Sequence, residues 1–238
     1  MIALSYSRME NMACPHRFNR LYIKKDYQEP MNAAAMLGNT VHALTAAYRE
    51  HCILNGIKKD LSWFDEMEEE ASPADWPKDL VEKFKISIFS TVPPKVQWFC
   101  VEKTFKYDAD LNVLPDNTPN ASIAFRLIPD FAFVRNHKLY VEDDKTGKWP
   151  PGDSQSKIYP GLLLKVLPPE LEIKEVAFRY NMIQANNPIV HGPTDVQIAK
   201  RAVGWVRKQI KAVNEWKEFP KRYGKVCNFC KICLIEKG

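Results

Sequence analysis

Cysteine placement constrains this chain more than any other feature. Cys227, Cys230 and Cys233 stand three positions apart near one end, and Cys14 stands near the other. A C-x2-C-x2-C run cannot lie on one face of a helix, because positions i and i+6 are about 240° apart at 3.6 residues per turn. A loop can wrap such a run round one corner of a metal centre. Runs of this kind hold iron–sulfur clusters, with a fourth thiol arriving from elsewhere. Cys14 is the natural fourth ligand, which requires the two ends of the chain to meet. The alternatives are a structural zinc on the same four thiols, or free thiols. Cys52 and Cys100 stand alone, and each reads as a small buried hydrophobe.

Thiols rather than disulfides fit the rest of the sequence. The first residues, MIALSYSRMENMACPHRF, contain no apolar h-region and meet arginines early, so we expect no signal peptide and a cytoplasmic protein. No run of 18 apolar residues occurs, which argues against a membrane span. At 238 residues and 45% hydrophobic, the chain is long enough to bury roughly 70% of its unfolded surface. The expectation is one domain over 1–238, with 1–30 and 217–238 forming a cluster-bearing subregion.

The net charge of +5 is an average over unlike segments. Residues 200–231 carry ten Lys/Arg against Glu215 and Glu218, and Arg8, Arg17, Arg20, Lys24 and Lys25 crowd the start. Residues 60–82 are acidic, from Asp60 to Glu82. Either these are two solvated faces, or the basic ends converge to neutralise phosphates. Aromatics near those ends (Tyr6, Phe18, Tyr22, Trp216, Phe219, Tyr223) could stack single-stranded bases, although most such residues pack in cores.

Periodicity predicts a helix over 33–50, with Leu37, Val41, Leu44 and Tyr48 as its stripe and Gly38 one turn before His42. A second helical pattern covers about 77–91. Strands are predicted over 96–107 and 121–134, then over 139–145 after a turn at 135–138. A helix starts near Asp153 or Ser154, a strand covers 172–184, and a long helix covers 194–216 with Thr194 or Asp195 as its cap. This order suggests α/β layers with a mixed sheet.

Along 139–145, side chains alternate between faces, so Asp143 and Lys145 point one way and Asp144 the other. Asp130, after Pro129, lies on the partner strand of the hairpin. Carboxylates brought together this way repel unless a cation sits between them, and a hard cation such as Mg²⁺ or Mn²⁺ takes oxygen ligands. Taken alone, His42 reads as a core histidine, Asp143 and Lys145 as a surface pair, and Tyr159 as packing.

Pro129-Asp130 followed by Asp143-Asp144-Lys145 resembles the PD-(D/E)xK nuclease signature. Ser5-Tyr6-Ser7 with Cys14-Pro15 and Phe18, Gly38-x3-His42, Asp143-Asp144-Lys145-Thr146-Gly147, and Gln155-x3-Tyr159 resemble, in order, the motifs of the RecB-type nuclease family. The cysteine set resembles that of its iron–sulfur branch, which includes the CRISPR-associated adaptation nuclease and AddB-type nucleases. The likeness runs from residue 5 to 233. Asp144 stands where the family usually has an apolar residue, and Pro160 follows Tyr159 directly.

The resemblance implies a restriction-endonuclease-like α/β fold, a mixed sheet flanked by helices, with a 4Fe–4S cluster on Cys14, Cys227, Cys230 and Cys233 joining the two ends. It implies that His42, Asp130, Asp143 and the backbone carbonyl of Asp144 ligate Mg²⁺ or Mn²⁺. Lys145 would position the attacking water, and Gln155 and Tyr159 would orient Lys145 or the DNA. Glu102, on the strand before the hairpin, would stand behind the ligands. The implied activity is exonucleolytic hydrolysis of single-stranded DNA or DNA ends, with 5′-phosphate products and possible endonuclease or flap cleavage. The rivals are a CRISPR adaptation subunit working with protein partners, and a non-catalytic metal-stabilised DNA-binding module.

Overall fold

The computed structural model describes residues 2–28, 33–57, 60, 62–63, 65–67, 93, 95–146, 154–183 and 189–221. The predicted helix at 77–91, the loop at 147–153 and the run Cys227, Cys230 and Cys233 lie outside them. The elements are α1 (Tyr6–Asn11), α2 (Pro15–Phe18), a π-helical turn (Asn19–Lys24) and α3 (Ala33–Leu54). Then come β1 (Trp98–Val101), β2 (Phe105–Tyr107), β3 (Val113–Leu114), β4 (Phe125–Leu127), β5 (Phe131–Arg135) and β6 (Lys138–Lys145). α4 (Ser154–Leu163), β7 (Glu175–Met182), β8 (Ile189–Asp195) and α5 (Val196–Glu215) follow. No described helix is long and apolar enough to cross a membrane.

The contacts divide the chain into two compact units. The first joins residues 1–30, 105–127 and 203–238. Its sheet has the order β3-β2-β4 and is antiparallel, with Leu4 bridged to Phe125 alongside. Here the ends of the chain meet. Phe18 packs edge-on against Trp216 with ring centroids 5.6 Å apart, and the His16 N–H donates to the Pro220 carbonyl at 3.3 Å. Ser5 caps α1 by accepting from the Arg8 N–H, and Pro15 opens α2 at a position where a missing N–H costs nothing.

The second unit, residues 31–104 and 128–202, is a mixed α/β layer. Its five strands run in the order β1-β5-β6-β7-β8. All pairs are antiparallel except β6 with β7, where α4 forms the crossover. Asn136 and His137 both have positive φ (51° and 59°), as a two-residue type I′ turn requires. α3 buries Val41, Leu44, Tyr48 and Cys52 against Ile183, with Leu37 packed on that cluster. Glu142 and Asp144 face α3 through Arg49, whereas Asp143 faces α4 through Gln155. Helices therefore cover both faces of the sheet at the polar end of β6.

Two predicted strands are broken. The 96–107 strand splits at Glu102, which takes φ +46°, because Glu102-Lys103-Thr104 interrupts the alternation. Its halves, β1 and β2, belong to different sheets. The 121–134 strand splits at Pro129, which has no N–H for a ladder. β8 contains Gly192 and Pro193 and was not predicted. Among the described residues it is an edge strand paired with β7, where proline is tolerated. α5 starts at Val196, and Asp195 Oδ1 accepts from the Gln197 N–H at 2.5 Å.

Candidate metal centre

Three side chains converge within the second unit. His42 comes from α3, Asp130 precedes β5, and Glu102 follows β1. His42 Nδ1 lies 3.3 Å from Asp130 Oδ2 and 3.3 Å from Glu102 Oε1. One ligand atom from each falls within 4.8 Å of the others. The kinked backbone at Glu102 explains its position: its N–H donates to the Asp130 carbonyl at 3.2 Å, tying the two carboxylate-bearing loops together. Sequence reasoning gave Glu102 a place behind the ligands, but the structure sets its carboxylate directly against the imidazole.

Asp143 is not one of the three converging side chains; it is buried where the charge of Asp130 reaches it. Its Oδ1 accepts from Gln155 and its Oδ2 meets Lys145, so the face-sharing of Asp143 and Lys145 read from alternation is present. That Oδ2 is buried and accepts no aligned hydrogen bond among the described residues. Burial, and then the charge of Asp130, raise the Asp143 carboxyl well above the usual carboxylate range, against the pull of Lys145. Burial alone would depress Lys145, but Asp143 and Asp130 outweigh it and raise its pKa.

The other face of the strand is differently built. Asp144 takes two bonds from Arg49, at 2.7 Å and 3.0 Å, and one from Asn181 Nδ2 at 2.8 Å. Burial would raise its pKa, but Arg49 and then Asn181 hold it below the usual range. The Asp144 backbone N–H donates to Asp130 Oδ2 at 2.7 Å, fixing the oxygen that faces His42. Arg49 and Asn181 were not anticipated. The available signals were an arginine on the inner side of an apolar helix, seven residues after His42, and an aspartate on the strand face opposite Asp143.

Burial would also depress His42, but its hydrogen bonds to Asp130 and Glu102 and the charges of Asp130 and Asp144 overcome this and raise it to about 10. Such an imidazole is a cation between two carboxylates. A metal ion would take that cation's place. The donor set of one imidazole nitrogen and several carboxylate oxygens suits Mg²⁺ or Mn²⁺. With Mg–O bonds of about 2.1 Å, neighbouring ligand atoms at right angles stand about 3 Å apart, close to the 3.3 Å contacts at His42.

The remaining sequence candidates are placed less centrally. Tyr159 is buried and packs edge-on against Phe178, centroids 6.3 Å apart. α4 continues through Pro160 to Leu163. A Cβ on Gly38 would stand 3.5 Å from Thr146 Oγ1, an ordinary contact. In the first unit, Cys14 is buried. Of the aromatics considered for base stacking, Tyr6 and Phe18 are buried, Tyr22 lies under Arg8, and Trp216 packs on Phe18 and Phe219. Tyr223 lies outside the described residues. No family model matches the chain, and no curated protein matches it.

Proposed function

We propose that this chain is a Mg²⁺- or Mn²⁺-dependent deoxyribonuclease of RecB type that hydrolyses phosphodiester bonds in single-stranded DNA or at DNA ends. The observation that carries the reading is the meeting of His42, Asp130 and Glu102 beside the Asp143–Lys145 pair. His42, Asp130, Asp143 and Glu102 would hold the cation. When bound, it would acidify a water and balance charge developing on the phosphate.

The chain's own residues do the positioning. Gln155 fixes one Asp143 oxygen, and the Asp144 N–H fixes one Asp130 oxygen. Lys145, whose pKa its carboxylate neighbours raise, would act as a cation that orients a phosphate oxygen or the attacking water.

The cysteine reading also stands as a proposal. Cys14 would join Cys227, Cys230 and Cys233 in a 4Fe–4S cluster, with zinc as the alternative. Cys14 is buried, and two residues on the His16 N–H binds Pro220, only seven positions before Cys227. This arrangement supports a shared site. Its role would be to clamp the ends, since hydrolysis needs no electrons, and closing so long a loop removes much entropy from the unfolded chain.

The test is cleavage of end-labelled single- and double-stranded DNA with Mg²⁺ or Mn²⁺. Wild type should cut, with EDTA abolishing the activity, and Lys145→Ala should lose about 100-fold or more, within the range for a positioned proton-handling or charged group. Equal rates for wild type and Lys145→Ala would defeat the assignment. Iron in anaerobically purified protein tests the cluster, and zinc without iron would decide against it.

A further inference from the structure

Arg49 has no solvent exposure on a helix that buries Val41, Leu44, Tyr48 and Cys52 in the core. It lies over the Phe131 ring at 4.9 Å and reaches Glu142 Oε2 at 3.3 Å as well as both Asp144 oxygens. Stability is a poor explanation for this network. Burying such charges costs more than their attraction returns in many proteins, and apolar residues of equal volume do as well or better.

Geometry explains it better, because the contacts close a ring. Arg49 leaves α3 and grips the Asp144 carboxylate. The Asp144 N–H holds Asp130 Oδ2. That same oxygen faces His42 Nδ1, and His42 returns to α3 about two turns before Arg49. Helix and strand are thus pinned at two points. We infer that Arg49 is a positioning residue whose two-pronged grip on Asp144 sets the spacing of His42 and Asp130 and so presets the cation site.

The inference rests on the cation reading of the site, and the experiment separates the two. Mn²⁺ is titrated calorimetrically into purified full-length wild type and Arg49→Lys well below their melting temperatures, with folding checked by circular dichroism. Lysine keeps the charge but loses the planar fork. We expect the Mn²⁺ Kd to rise about tenfold or more, the scale for loss of a partner behind a ligand. A role in stability alone would lower the melting temperature and leave Kd unchanged. If Arg49→Lys does not fold, Asn181→Ala, which removes one bond to Asp144, should raise Kd several-fold. A Kd within twofold of wild type in the folded variant overturns the positioning role. A wild type that binds no Mn²⁺ overturns the cation reading and this inference with it.

Discussion

Asp143 and Asp144 are adjacent in sequence, both almost fully buried, and chemically opposite. Asp144 is saturated by Arg49 and Asn181 and titrates below the usual range. Asp143 faces Asp130, keeps an oxygen without an aligned hydrogen bond, and titrates above it. Strand alternation puts them on opposite faces, and the helix packed on each face decides the rest. Arg49 and Asn181 balance the Asp144 carboxylate, whereas Asp143 stands near the charge of Asp130 with Lys145 as its cationic neighbour.

The largest expected effect separates the pair by activity. Asp143→Asn should cut DNA at less than about 1% of the wild-type rate, beyond the roughly 10–100-fold cost of losing an outer partner, while remaining folded by circular dichroism. Next, Asp144→Ala should cost about 3–5 kcal/mol in denaturant unfolding, because it strands the buried Arg49 guanidinium. Asp143→Asn should cost little by the same measurement.

Glu102→Gln sharpens the boundary of the site. As a ligand, Glu102 should raise the Mn²⁺ Kd about tenfold or more when lost. A change below twofold would return it to the outer position that sequence reasoning gave it. His42 adds a pH dependence, because a cation must displace its proton. With that pKa raised to about 10, Mn²⁺ affinity should climb with each pH unit from 6 to 9.

The smallest effect concerns stability and pH. Asp144, with its folded pKa below the unfolded value of about 3.9, contributes stability present above that pH and lost as pH falls through the folded value. Asp143, with its folded pKa raised, does the reverse: it costs stability above its folded pKa, and the cost fades as pH falls towards about 4. Metal-free Asp143→Asn should therefore be slightly more stable than wild type at pH 8 and no more stable at pH 4. An advantage that persisted at pH 4 would break the comparison.

Much of the fold was legible because its signals are local. The α3 stripe, the Arg135–Lys138 turn and the alternation along β6 follow from nearest neighbours in sequence. The breaks at Glu102 and Pro129 were harder, since each divides one apolar run between two sheets. β8 was missed because Gly192 and Pro193 look like a loop, and only its edge position makes them acceptable. At the site, His42, Asp130, Asp143, Lys145 and Gln155 were all named from sequence, and the structure brings His42 to Asp130 and both Lys145 and Gln155 to Asp143. Arg49 and Asn181 were not named, because their partners lie 95 and 37 positions away and nothing local marks a buried arginine as paired.

The most direct measurement is the cleavage rate of Asp143→Asn beside Asp144→Asn, both folded, on end-labelled single-stranded DNA at saturating Mn²⁺. The account predicts no detectable cutting by Asp143→Asn and measurable cutting by Asp144→Asn, whose backbone N–H to Asp130 survives. Wild-type cutting by Asp143→Asn would contradict it.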